Sequence, residues 1–146
     1  MSTSNFTIYR SSAGSGKTYT LALSYVALSL IGDSFGHKDY YRKILAITFT
    51  NKAAGEMKER VLQYFKTLSE ESEKEDILKW LKEETKLDKN TIYARAKTIH
   101  KHILHHYSDL SISTIDKFTY RIVRTFASDL GLSHNFELEM DNYKII

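Results

Sequence analysis

One stretch constrains this chain more than any other: Ser11-Ser-Ala-Gly-Ser-Gly-Lys-Thr18 stands between a run that reads as a strand and a run that reads as a helix. Phe6-Thr-Ile-Tyr9 has strand character, and the Ser- and Gly-rich segment after it cannot continue a strand. From Lys17 to about Leu30, the residues Leu21, Tyr25 and Leu28, with Ala22, Val26 and Ser29 beside them, recur at helical spacing up to Gly32-Asp33. Glycines in such a turn let successive amide N–H groups point into an anion-sized hollow, and the helix start behind it adds partial positive charge. A phosphate fits that hollow. Ala13, Gly14, Ser15 and Gly16 would supply the backbone, Lys17 a point charge for the β- and γ-phosphates, and the Thr18 hydroxyl a ligand for Mg²⁺. ATP and GTP both satisfy this chemistry. The strict pattern has Gly where this chain has Ser11, so the match is near rather than complete, and a plain strand-to-helix turn is the bland alternative.

The rest of the chain repeats the alternation. Lys43-Ile-Leu-Ala-Ile-Thr-Phe-Thr50 is a nearly continuous apolar run of strand length, as for a strand buried on both faces of a parallel sheet. Asn51 is the expected cap of a helix from Lys52 to about Leu68, with Ala53, Met57, Val61 and Phe65 on its apolar stripe and Glu56, Lys58, Glu59 and Arg60 turned mostly outward. Between Ser69 and Lys89 acids and bases alternate around Ile77, Leu78, Trp80 and Leu81, the apolar residues of a short amphipathic helix. A further helix is expected from Asn90 to His106. Leu110-Ser-Ile-Ser-Thr114 then reads as a strand, Asp116 to about Asp129 as a helix ended by Gly131, and Phe136 to Met140 alternates as an exposed strand does. Strands alternating with helices predict an α/β domain whose ligands gather at the carboxyl ends of the strands.

Composition narrows the class. With 42% hydrophobic and 27% charged residues in 146, the chain suits one soluble globular core. Cysteine is absent, which excludes disulfides and thiolate metal sites and fits a reducing cytoplasm. No apolar stretch approaches the roughly 20 residues needed to cross a bilayer, and the first residues lack a secretory signal, so no membrane partner is expected. A net charge of +3 permits a polyanionic partner without demanding one.

The segment Thr48-Phe-Thr-Asn-Lys-Ala-Ala-Gly-Glu-Met-Lys-Glu-Arg60 closely resembles motif Ia of UvrD/Rep-type superfamily 1 DNA helicases. Ser11 to Thr18 resembles motif I of that family, and Ser113-Thr-Ile-Asp-Lys-Phe118 resembles its motif Ib, so three motifs occur in family order. Ser11 to Tyr19 and the helix Phe118 to Ala127 are similar to the RecB/AddA branch, the motor subunits of exodeoxyribonuclease V-type helicase–nuclease complexes. The resemblance implies a P-loop NTPase (RecA-like) α/β fold, a parallel sheet flanked by helices. It divides the chain into 1–68 with motifs I and Ia, a helical insertion at 69–108, and a continuation at 109–146 with motif Ib. It implies ATP and Mg²⁺ as cofactors, with Tyr19 joining the nucleotide-binding residues. Single-stranded DNA would be gripped by Phe49, Thr50, Asn51, Lys52, Thr114 and Asp116. The intact relatives step 3′ to 5′ in double-strand break repair and recombination, and the implied partners are the remaining helicase domains and a partner from the helicase–nuclease complex.

The same residues carry blander roles. Phe49 lies in an apolar run and could belong to the sheet core, and Asp116 could simply cap a helix. The family's glutamine motif does not precede the phosphate loop, and Asp116 stands where many relatives have His. The Asp-Glu pair that would hold Mg²⁺ for hydrolysis does not occur, so the chain by itself is expected to hydrolyse ATP negligibly. His100, His102, His105 and His106 share one helix, and His102 with His106 has metal-gripping spacing, but last-turn histidines also favour the helix dipole. Two other classes stay open: a non-catalytic nucleotide- or DNA-binding module, and a small P-loop phosphotransferase.

Overall fold

In the computed structural model, residues 16–32, 39–129 and 131 are described. The expected strands at Phe6–Tyr9 and Phe136–Met140, and the loop residues Ala13, Gly14 and Ser15, lie outside them. The described residues are mostly helical. The order is α1 (Lys17–Gly32), a 3-10 turn at Tyr40–Lys43, β1 (Ala46–Thr48), α2 (Asn51–Ser69), α3 (Glu75–Thr85), α4 (Lys89–His105), a second 3-10 turn at Tyr107–Asp109, β2 (Ile112–Thr114) and α5 (Ile115–Thr125). β1 and β2 pair in parallel, with Ala46 opposite Ile112, Ile47 opposite Ser113 and Thr48 opposite Thr114. Parallel neighbours need a long crossover, and α2, α3 and α4 supply it.

Most helices start where the sequence offers a cap. Thr50 Oγ1 accepts a hydrogen bond from the Ala53 amide at 3.1 Å, so Thr50 and not the expected Asn51 caps α2. Asp88 Oδ1 accepts from the Thr91 amide at 3.0 Å at the start of α4. Thr114 Oγ1 accepts from the Lys117 amide at 3.3 Å and caps α5, the role that sequence alone offers to Asp116. α5 ends at Thr125, a turn earlier than expected, because Gly131 at φ +69° closes a separate turn after it. In α3 the cap residue makes no side-chain bond, but Glu75 and Asp76 sit at the positive end of the helix.

One core joins α1 to α4: Val26 and Leu30, Met57, Val61, Phe65 and Leu68, Leu81, and Ile92, Ala96, Ile99 and Ile103 are all buried together with Tyr41. Each large side chain removed from water there contributes roughly 1.5–3 kcal/mol. The segment 69–108 is thus helical, and its apolar residues enter the same core as α1 and α2. Polar ties cross it: Tyr25 donates to the Tyr41 carbonyl at 2.7 Å, and Arg95 donates to the Leu30 carbonyl at 2.8 Å near the end of α1. Arg42 and Asp109, 2.6 Å apart, join the turns that precede the two strands.

Two expectations about apolar faces need correction. α1 buries Ala22, Leu23, Tyr25, Val26, Ala27 and Leu30, whereas Leu21 and Leu28 are exposed. Its sequence is apolar nearly all round, so periodicity could not select the buried side. β1 is buried on one face only: Ala46 points into the core, while Leu45, Ile47 and Phe49 alternate onto a face that no described residue covers.

Candidate nucleotide and nucleic-acid site

α1 begins immediately after Gly16, whose φ of +82° lies in the left-handed region that glycine enters without strain. A Cβ there would touch nothing, so backbone conformation and not space makes glycine the suited residue. The Gly16 carbonyl accepts from the Thr20 amide at 2.9 Å, closing the first helical turn. The amides of Lys17, Thr18 and Tyr19 precede that first bond, and no acidic residue sits in the first turn to compete for their positive end. Lys17 is exposed and Thr18 half-buried. These residues fit a nucleotide triphosphate with Mg²⁺: a helix start without an acidic side chain, a cation and a hydroxyl next to each other.

The Tyr19 ring meets Tyr64 of α2 edge-on, with centroids 5.9 Å apart. Burial, then Tyr19, pushes the Tyr64 hydroxyl up to about 12, against a smaller opposing effect of Arg60. Tyr19, Tyr64, Arg60 and Gln63 line an open cleft of about 730 Å³ beside the start of α1. No sequence signal marks Tyr64, Arg60 or Gln63 for this cleft, because only tertiary packing of α2 on α1 brings them to Tyr19.

At the carboxyl end of β1, Phe49 is 89% exposed, so it belongs to no core. Thr50, Asn51 and Lys52 follow it on the surface, where the first turn of α2 begins. Thr48 Oγ1 donates to the Thr50 carbonyl at 3.1 Å, which fixes the bend that turns Phe49 outward. Lys52 and Glu56 approach to 4.0 Å across one helical turn, an exposed pair of small energetic value. At the neighbouring strand end Thr114 is 4% exposed and occupied with capping, whereas Asp116 is exposed in the first turn of α5. Asn51, Thr114 and Lys117 line a shallow cavity of about 240 Å³ between α2 and the β2–α5 junction. The structure therefore brings Asn51 and Thr114 together at one cavity, with Phe49, Thr50 and Lys52 on the adjoining edge.

The histidine-rich helix has a different environment. His102 and His106 stack with centroids 4.5 Å apart, His102 Nδ1 shares a hydrogen bond with the Tyr41 hydroxyl at 2.9 Å, and His100 Nδ1 lies 3.3 Å from Ser69 Oγ. Among the described residues no group of three or more His, Cys, Asp or Glu gathers as metal ligands. Nor is any described helix long and apolar enough to cross a membrane.

Comparison with known proteins agrees with the motif order. The UvrD/REP helicase N-terminal domain family matches residues 2–144. An ATP-dependent helicase/nuclease protein of the AddA type from Streptococcus suis (strain 98HAH33) is 29% identical over 133 residues, which is 89% of this chain and 9% of that protein. No solved structure matches. The chain thus spans about a tenth of the length of the relative it resembles. With motif-bearing segments at both strand ends and a family match over nearly its whole length, this chain belongs to the UvrD/REP helicase N-terminal domain family.

Proposed function

We propose that the chain is the ATP-binding and single-stranded-DNA-contacting part of an ATP-dependent 3′-to-5′ DNA helicase, of the RecB/AddA-like helicase–nuclease kind that acts in double-strand break repair and recombination. The observation that carries this reading is the exposure of Phe49 at the carboxyl end of a parallel strand pair, one residue before the cap of α2. An exposed phenylalanine has no folding role there, and a base stacked on it gains about 1–3 kcal/mol without any demand on sequence. The Asn51 and Lys52 amides at the start of α2, the Lys52 ammonium and the Thr50 hydroxyl then meet the sugar–phosphate backbone. Thr114 acts from beneath by holding α5 in place, and Asp116 sits on the exposed first turn where it can orient the strand.

The nucleotide belongs at Gly16 to Thr18, with the preceding residues Ala13, Gly14 and Ser15 completing the loop and Tyr19 bordering the adjacent cleft. Mg²⁺ bound with ATP would neutralise phosphate charge, and Thr18 is the residue of this chain suited to hold it. Lys17 draws the β- and γ-phosphates toward the helix start. In this reading the fold is the first part of a RecA-like P-loop domain. Its partners are the remaining helicase domains and a second protein of the helicase–nuclease complex.

Titration of the chain with a fluorescent ATP analogue and Mg²⁺ tests the nucleotide half. Lys17→Ala is expected to weaken binding at least about tenfold, the loss of one charge-assisted contact of roughly 1.5–3 kcal/mol. Unchanged affinity in that variant, with the fold intact by circular dichroism, overturns the assignment.

A further inference from the structure

We propose that Lys58, Lys117 and Arg121 form a second anion seat, between α2 and α5, that takes a backbone phosphodiester of the same single strand. The inference rests on the Phe49–Lys52 edge carrying DNA, and adds a place for the strand to go next.

The cavity between the two helices supplies the space. Its volume is about 240 Å³, and Asn51 stands on its rim, so it is continuous with the Phe49–Lys52 edge. Lys58 and Lys117 line it, and the Ser113 hydroxyl oxygen faces a buried setting with no hydrogen-bond partner. On the α2 wall Gly55 leaves the surface open, since a Cβ built there would meet no atom within 4 Å.

The charges in this corner share one sign. Lys58 is half-buried, and its ammonium lies 5.5 Å from the centre of the Tyr107 ring, which holds it on this side of α2. Burial first, then the positive charges of Lys117 and Arg121, lower its proton affinity, and no carboxylate offsets them. Among the described residues the ion pairs involve Arg42 and Lys52, and none involves Lys58, Lys117 or Arg121. Glu56, the nearest acid in sequence on the cavity side of Lys58, is paired with Lys52 instead. Three cations from two elements, held together without a counter-charge beside an unpaired hydroxyl, lose repulsion when an anion enters. A phosphodiester brings one negative charge and several acceptor oxygens, which the ammonium groups and the Ser113 hydroxyl can satisfy. The continuity with Asn51 favours a strand already bound at Phe49 over a free anion.

The test measures the affinity of the chain for a fluorescein-labelled oligothymidylate as a function of salt. Each phosphate neutralised adds about 0.7 to the slope of log K against log salt for a single strand. The double variant Lys58→Gln with Arg121→Gln is expected to bind about tenfold more weakly at low salt, with a slope shallower by up to about 1.4. Lys58→Arg should keep the wild-type slope. Arg121→Gln alone, on the exposed face of α5, should lower the slope by about 0.7 and reads the seat without disturbing the core. Phe49→Ala serves as the reference, losing affinity with little change of slope. If Phe49→Ala weakens binding while the charge variants keep wild-type slope and affinity, the second seat is wrong and the DNA edge stands. If the wild-type chain binds no oligothymidylate at all, the edge itself fails and the seat falls with it.

Discussion

Thr48 and Thr114 stand opposite each other in the parallel register of β1 and β2, and within two residues each strand passes into a helix capped by a threonine. Thr50 caps α2 and Thr114 caps α5, so two helix starts share one end of the sheet. This is the end at which the proposed DNA-binding residues gather.

Thr50→Ala should remove the α2 cap at a cost of about 1 kcal/mol, while Thr50→Ser should retain most of it. Thermal unfolding followed by circular dichroism checks this, with a melting temperature lower by a few degrees for alanine only. An equal loss for both variants would mean that the Thr50–Ala53 hydrogen bond contributes nothing.

Phe49→Ala should leave stability unchanged within about 0.5 kcal/mol, because so exposed a side chain buries almost nothing on folding. Affinity for single-stranded DNA, read by fluorescence anisotropy, should fall by about 1–3 kcal/mol. A large loss of stability would instead place the ring in a core.

Gly32→Ala should destabilise the chain by about 1–3 kcal/mol through overpacking. A Cβ at Gly32 would overlap Cβ, Cγ and Cδ1 of Tyr40, atoms too close to the backbone to swing aside. Denaturant unfolding should show part of the loss recovered in the double variant with Tyr40→Ala, and no recovery would point to a cause other than this contact.

Acid should weaken the fold in a window that begins near pH 6.5, the ordinary histidine value. Burial lowers the proton affinity of both His100 and His102, and for His102 the neighbouring His106 and Arg42 add to the effect while Asp39 and Asp109 oppose it. Above that pH the histidines are neutral in folded and unfolded chains alike. Below it the unfolded chain binds protons that the folded chain resists, so stability falls as pH drops toward the lowered folded values. Denaturant midpoints between pH 7.5 and about 5 should decline, and His102→Asn should flatten the curve. A midpoint that rises on acidification would reverse the assignment of the neutral form to the fold.

Helix locations are legible in the sequence because capping and 3.6-residue periodicity act over a few residues: α2 is expected at 52–68 and spans Asn51–Ser69, and α4 is expected at 90–106 and spans Lys89–His105. The choice between neighbouring cap candidates is not legible. Thr50 and Asn51 both suit a cap chemically, and the bend held by Thr48 Oγ1 puts the Thr50 oxygen within reach of the Ala53 amide. Faces are harder still. Leu21, Leu28, Leu45 and Ile47 are as apolar as the residues that became buried, and only the partners on each side separate them.

The amino-acid sequence alone determined the order of the motifs, the glycine at position 16 and the family to which the motifs belong, since each depends on residues adjacent along the chain. Tertiary structure decided that Phe49 points to solvent, that Thr114 lies beneath the surface and that Lys58 meets Lys117 and Arg121. Those outcomes depend on how α2 and α5 lean on the paired strands, and contacts between residues more than fifty positions apart leave no periodic trace in sequence.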